Sequence, residues 1–320
     1  MLNFPNQTLT ELVIPGSHDS FAYEFDLSKP CDKPSGIPTC FNSWILPWSQ
    51  TQDLTLNEQL YAGIRYFDIR IIKVENQYYT IHCLVSTLIN DLITEFKLFI
   101  DSHPSEILIV DINHMYNMEP EDKIECKRVI TEMFNGYLID SSRLNRPLNE
   151  LRGNIWLIFD NHYLIHSMWH DKNDFNELRT SITNQHPVSG MLNVTQLILT
   201  PQTEDVAKGI IFKPCCCGIV PKSLRQLNYQ IDPNFINEII GSVNIIITDF
   251  IADNFVEICV QENNRRFGRQ PIAATTEQTE TTEQPQTETT EQTTTEQPKT
   301  EPQTETTTEQ PQTEQPEQKN

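Results

Sequence analysis

The chain has 320 residues and a formal net charge of −21, an acid excess that disfavours nucleic acid as a partner and gives no help in docking to anionic lipid headgroups. From Ala273 to Asn320 it is almost wholly Thr, Glu, Gln and Pro, with no aromatic residue, so this part cannot bury enough apolar surface to offset its ordering entropy. The composition therefore predicts a globular domain over 1–271 and a disordered Thr/Glu/Gln/Pro-rich tail over 272–320.

The tail carries eleven Glu and two Lys, net −9, which leaves about −12 on the globular part. No run of about 20 apolar residues is available to span a membrane, and Met1–Glu11 lacks the apolar core of a signal peptide. A cytoplasmic or peripheral-membrane protein is expected, with secretion as the alternative.

Leu9–Ile14 is a short β-prone run that ends at the Pro15-Gly16 turn. Ile64–Val74 and Tyr78–Val85 follow as strands rich in β-branched and aromatic residues. Leu88–Ile100 carries apolar residues at 88, 89, 92, 93, 96, 99 and 100, the helical period, and His103-Pro104 stops it. Ile107–Ile112 is a nearly unbroken apolar run, as a parallel strand covered on both faces requires. Pro120 suits a first helical turn, with Ile124, Val129, Ile130, Met133 and Phe134 continuing on one face. Asn154–Phe159, Val194–Leu199 and Val243–Phe250 read as further strands, and a closing helix runs through Phe255, Val256, Ile258, Cys259 and Phe267. Alternating strands and helices over this length predict an α/β architecture, a distorted (β/α)8 TIM-like barrel.

Cys83, Cys126 and Cys259 lie in apolar segments and read as buried thiols. Cys31 and Cys40 flank a Pro/Gly/Ser loop that a disulfide could close. Cys215-Cys216-Cys217 has no histidine at metal-ligand spacing. Trp44, Ile45, Leu46 and Trp48 read as core packing before a lipid-facing rim.

The chemistry concentrates at strand ends. Asp68 and Arg70, two residues apart on one strand, share a face. They read equally well as a structural ion pair. His18 and Asp19 follow the Pro-Gly turn, His82 sits in the third strand, and Asp249 ends a very apolar one. All six fall toward the C-terminal end of a predicted strand, where the pocket of an α/β barrel forms. Two imidazoles, a guanidinium and carboxylates are what phosphodiester cleavage needs: a base, an acid and a fixed cation.

Five segments in order, Leu12–Ser20, Trp48–Gln52, Gln59–Arg70, His103–Glu106 and Asn244–Phe250, resemble the phosphatidylinositol-specific phospholipase C X-domain-containing proteins, small eukaryotic relatives of bacterial PI-phospholipase C. The resemblance covers residues 8 to 264. It implies a distorted barrel that cleaves an inositol phospholipid at a membrane surface to diacylglycerol and an inositol cyclic phosphate. Residue by residue, it implies His18 as base, Asp249 orienting His18, His82 as acid assisted by Asp19, and Arg70 on the phosphate positioned by Asp68. Arg70 stands where larger signalling phospholipases C hold calcium, so no metal or cofactor is expected for the chemistry. A monomer is expected. The sequence departs from the bacterial pattern at Cys83, where those enzymes have Gly. Its inositol-binding residues are not recognisable; His114, Asp160 and Gln196 lie near strand ends and are candidates. The alternatives are a catalytically weak lipid- or inositol-phosphate-binding module and a phosphodiesterase acting on another phospholipid.

Overall fold

A computed structural model describes residues 4–29, 42–143, 145–160, 163–211 and 221–268. The Cys31/Cys40 pair, the Cys215–Cys217 triplet, His162 and the tail from 272 lie outside these residues.

In chain order the elements are β1 (Ile14–Ser17), α1 (Asn42–Ser49), α2 (Leu56–Ala62), β2 (Tyr66–Val74), β3 (Gln77–His82), β4 (Leu84–Leu88), α3 (Ile89–Ser102), β5 (Ile107–Tyr116) and α4 (Pro120–Met133). Then come β6 (Asn154–Phe159), β7 (Ile165–Ser167), α5 (Phe175–Thr183), β8 (Leu192–Leu197), α6 (Thr203–Ile211), α7 (Leu224–Asn228), α8 (Phe235–Ile239), β9 (Ile245–Thr248) and α9 (Phe255–Phe267). The sheet has nine strands. Seven form a parallel array in the order β6-β5-β2-β1-β9-β8-β7, while β3 pairs antiparallel with the end of β2 and β4 antiparallel with β3.

The sheet departs from the predicted (β/α)8 barrel at two places. The predicted third strand, Tyr78–Val85, is a hairpin rather than a parallel strand. Glu75 and Asn76 both take positive φ, 48° and 64°, the two-residue turn whose twist matches antiparallel neighbours. Also, no ladder joins β6 to β7 among the described residues.

Alternation along the strands sorts side chains into two cores. Phe67, Ile69, Leu108, Val110 and Ile246 pack with helix residues such as Leu92, Phe96 and Phe235. Ile14, Tyr66, Ile109, Trp156, Ile245 and Ile247 form a second cluster built from strands and loops. Asp68 shares the parity of Tyr66 and Asp111 that of Ile109, so these carboxylates belong to the second face.

The helix α3 matches its period: Ile89, Leu92, Ile93, Phe96, Phe99 and Ile100 are buried, and it ends one residue before His103. Pro120 opens α4 as expected, and Val129, Ile130, Met133 and Phe134 pack toward the core, but Ile124 is exposed and Cys126 is buried in its place. Leu9–Leu12 form turns. β1 runs through Pro15-Gly16 rather than stopping there, because Pro15 gives up only its donor while its carbonyl accepts from the Arg65 amide at 2.9 Å.

Gly16 is where β1 meets both neighbours. A Cβ there would lie 2.8 Å from Ile247 Cγ2 and 3.0 Å from Tyr66 Cβ. Gly16→Ala is therefore expected to destabilise the fold by about 2 kcal/mol through overpacking. Urea unfolding checks this; a midpoint equal to that of the parent would show that the strands yield.

Candidate active site

β1, β2 and β9 lie side by side and parallel, so their C-terminal ends open on one edge. Ser17 pairs with Thr248 across β1 and β9, which sets the next residues, His18 and Asp249, against each other. His18 Nδ1 lies 2.7 Å from Asp249 Oδ1. His18 Nε2 lies 3.3 Å from Asp19 Oδ2, and His82 Nε2 lies 3.4 Å from the same oxygen. Arg70 reaches Asp19 Oδ1 through Nε at 2.7 Å and His18 Nε2 through Nη2 at 3.0 Å. The two imidazole centroids are 6.2 Å apart. The six residues singled out in the sequence thus share one edge.

The pairing within the group differs from the strand-spacing argument. Asp19, rather than Asp68, takes the Arg70 guanidinium. Asp68 accepts from the Asp19 amide at 3.2 Å and from Asn113 Nδ2. A bulge between Ile69 and Arg70 shifts the register of β2 on β5, setting Arg70 opposite His114.

A polar frame holds the loops. His82 Nδ1 donates to the Ser49 carbonyl at 2.7 Å, which leaves Nε2 to face Asp19. Thr51 Oγ1 donates to the Asp19 carbonyl at 2.9 Å, and Gln52 Nε2 donates to the carbonyls of His18 and Thr248 at 2.8 and 3.0 Å. Gln59 Nε2 donates to the Ser20 carbonyl at 2.7 Å. Asn228 Nδ2 donates to Asp249 Oδ2 at 3.0 Å, fixing the carboxylate that faces His18. Asp19, Cys83 and Phe250 hold φ of 38°, 58° and 49°, a conformation that costs non-glycine residues energy and persists where the surroundings over-determine it.

Electrostatics follow from burial and proximity. Burial opposes protonation of His18, but the negative charges of Asp19 and Asp249 and the hydrogen bond to Asp249 outweigh it and push its pKa up to about 9. A guanidinium cannot accept, so the Arg70–His18 contact requires a lone pair on Nε2. That contact belongs to the neutral imidazole, its proton on Nδ1 toward Asp249; the protonated ring that the raised pKa favours at neutral pH instead turns Nε2–H to Asp19 Oδ2, 3.3 Å away. Burial raises the Asp19 pKa, yet the charges of Arg70, His82 and His18 bring it below the usual carboxylate range. Asp111, beside Asp68 in register, is pushed up to about 7 by burial and by its acidic neighbours, against its hydrogen bond from Tyr66.

His18, Asp19 and Asp68 each offer one ligand atom, all within 4.8 Å of one another, so this trio could hold a metal ion. The Arg70 guanidinium stands against two of the three.

Of the remaining candidates, His114 lies beside Arg70, and burial together with the Arg70 charge lowers its pKa. Asp160 follows β6 and pairs with Lys127 at 3.6 Å. Gln196 Nε2 donates to Ser167 Oγ at 2.8 Å. None of these three lines the large cavity at the histidines. Cys126 and Cys259 are buried thiols, each pushed up to about 12 by burial. Cys83 is not: its tight turn after β3 turns it into the cavity wall. Ile45 and Trp48 are buried, whereas Trp44 is 57% exposed. Arg65, Glu106 and Asn244, prominent in the sequence motifs, serve the opposite edge. Arg65 Nε pairs with Glu106 at 2.9 Å, and Asn244 ties down the carbonyls of Leu9 and Leu12.

Sequence reasoning missed Asn113 and Asn228. Neither lies in a motif; each is brought to the site by tertiary packing.

The fold is similar to phosphatidylinositol-specific phospholipase C from Listeria monocytogenes, with a TM-score of 0.60 and 18% identity over 81% of this chain and 95% of that one. A double mutant of the S. aureus enzyme of the same name gives 0.62 at 16% identity, over 81% of this chain and 94% of that one. The fold is thus that of the bacterial phosphatidylinositol-specific phospholipases C. No family profile matches the chain. Mouse PI-PLC X domain-containing protein 2 is 31% identical over 238 residues, covering 64% of this chain and 69% of that protein. The human protein of that name is 30% identical over 236 residues, with 64% and 77% covered. Mouse PI-PLC X domain-containing protein 3 is 27% identical over 294 residues, with 80% and 88% covered. The chain belongs to the family of PI-PLC X domain-containing proteins.

Proposed function

We propose that the chain is a phosphodiesterase of the phospholipase C type that cleaves an inositol phospholipid at a membrane surface, with His18 as base, His82 as acid and Arg70 as the phosphate cation. The observation that carries this reading is that both histidines bring Nε2 to the same oxygen of Asp19, with the guanidinium beside them. Family membership and the bacterial phospholipase fold support it.

The substrate phosphate draws Arg70 off His18 and bares the Nε2 lone pair. His18 Nε2 then removes the proton of the inositol 2-hydroxyl, whose oxygen attacks phosphorus. The phosphorus–oxygen bond to the glycerol breaks, and His82 Nε2–H protonates the departing alkoxide. Asp19 keeps His82 supplied with a counter-charge and holds Arg70. Diacylglycerol and an inositol cyclic phosphate leave.

The test is incubation with phosphatidylinositol vesicles plus excess chelator, followed by 31P NMR. The cyclic phosphate is expected. Release only after a divalent cation is added would hand the cation role to a metal on His18, Asp19 and Asp68. No release from any vesicle would leave a binding module.

A base with a pKa near 9 is protonated and idle below that pH. The limb of kcat/KM set by His18 is therefore expected to climb toward about pH 9. Asp249→Asn removes one of the two negative charges that hold the proton. This variant is expected to move that limb to lower pH and to cut the maximal rate about 100-fold. An unmoved limb would separate Asp249 from the base.

A further inference from the structure

The cavity at His18, Arg70 and His82, about 740 Å³ in all, continues away from them between mostly apolar walls. Past the histidines its walls are Trp48 of α1, Ile198 after β8, Val206 and Ala207 of α6 and Leu224 of α7. Among the described residues lining it, the charged side chains all belong to the catalytic group. A sugar headgroup needs donors and acceptors at fixed places; among uncharged side chains these walls offer only the hydroxyls of Thr200 and Thr203 and the tryptophan N–H groups, that of Trp169 already donating to Thr200. Two further polar residues near the group, Asn113 and His114, lie on β5, which pairs with the Arg70 strand, and do not line this cavity.

The wall is also tightly made. Gly209 of α6 lies so close to α1 that a Cβ there would stand 2.5 Å from Trp48 Cζ2. The side chains of Leu224 and Trp48 are buried, whereas Trp44, Trp169 and Ala207 on the same lining are exposed, so one wall is packed and the other opens to solvent.

We infer that this chamber takes one acyl chain of the substrate lipid into the protein, on the leaving-group side of the phosphate. The inference rests on the phosphodiesterase reading for its orientation: His82, the acid for the leaving alcohol, lines the same cavity as the apolar walls, with the exposed Trp44 at its rim. A lipid whose chains stay in the bilayer gains nothing from such a chamber, because its hydrocarbon is already out of water. A lipid drawn out of the bilayer, or one carrying a single chain, recovers the burial of every methylene. The preferred substrate is therefore a lipid handled as a single molecule, with a phosphate held by Arg70 and one chain held between α1, α6 and α7.

The test uses alkyl monophosphates of increasing length, each kept below its micellar concentration and titrated by calorimetry into the full chain. These probes have no diester to cleave, so binding is read without turnover. The dissociation constant is expected to fall by up to about four-fold per methylene until the chamber is full, then level off. Ala207→Trp shortens the chamber and is expected to bring the plateau to shorter chains; Val206→Ala lengthens it and moves the plateau the other way. Thermal melting confirms that each variant is folded, and the Val206→Ala arm decides the matter if Ala207→Trp is not. Affinity independent of chain length, or a plateau that neither variant moves, would overturn the inference. Turnover of vesicle phosphatidylinositol with a flat binding series keeps the enzyme and removes the chamber's role. A graded series without turnover keeps the chamber and removes the enzyme.

Discussion

His18→Ala is expected to lower kcat on phosphatidylinositol by about 10⁴-fold, and His82→Ala by a similar factor, because each removes one proton transfer from the same displacement. The two losses differ in how they respond to the leaving group. An alkoxide leaves poorly without a proton, so His82 matters most with the natural glycerol ester. With a nitrophenyl ester of inositol phosphate the departing oxygen is stable as an anion. His82→Ala is then expected to recover most of its rate. The attacking 2-hydroxyl is the same in both substrates, so His18→Ala stays defective on both. The geometry explains why the roles are not interchangeable. In its neutral form His18 keeps its proton on Nδ1 toward Asp249, 2.7 Å away, leaving Nε2 as acceptor. His82 has Nδ1–H committed to the Ser49 carbonyl at 2.7 Å, so any second proton sits on Nε2, where it can be given away. Steady-state rates on the two esters measure this directly. Equal recovery of both variants on the activated ester would dissolve the assignment of base and acid. A loss below ten-fold in either would remove that histidine from the chemistry.

The candidate catalytic group was legible because it sits where strand ends and chemistry coincide. His18-Asp19 follows a short strand, Asp249 ends a run of three isoleucines, and Asp68 and Arg70 share one strand. Parallel pairing of β1 with β9 then brings His18 to Asp249 without further information. Pairings inside the group were less legible. Spacing on β2 favoured Asp68 for Arg70, but the bulge at Ile69/Arg70 and the positive φ of Asp19 bring Asp19 to the guanidinium instead. Such backbone details depend on the packing of neighbouring strands. Asn113 and Asn228 escaped notice for the same reason: an asparagine acquires its role only from the carboxylate it happens to meet, Asp68 in one case and Asp249 in the other. The sheet was misread where a hairpin replaced a crossover. Glu75-Asn76 is a weaker turn signal than Asn-Gly, yet both residues take the positive φ that the turn demands. Helix α2 carries a full capping box, Thr55 and Glu58, that the sequence displays openly. Helix α1 contains Pro47 and gave no helical period to read.

Arg70→Lys is expected to lower kcat about 1,000-fold while leaving the fold intact. The comparison that matters is between a planar fork and a point charge. Arg70 is held by Nε on Asp19 at 2.7 Å, and Nη2 lies 3.0 Å from His18. In the proposed role Asp19 anchors the guanidinium through Nε, which leaves the terminal nitrogens for a phosphate held between the imidazoles. A lysine ammonium can satisfy Asp19 or reach the phosphate, but it has no second fixed nitrogen with which to do both. In losing oriented donors to the developing charge, the variant forfeits interactions of the size seen when oxyanion donors are removed, about 10²–10³-fold each. Substrate affinity should suffer less, since a single ammonium still attracts a phosphate, so kcat is expected to fall more than KM rises. Rates measured with chelator and again with added calcium complete the test. If Arg70→Lys keeps near-normal turnover, or if calcium alone sets the rate of both forms, the guanidinium is not the cation of this site. The trio His18, Asp19 and Asp68 would then be a metal centre.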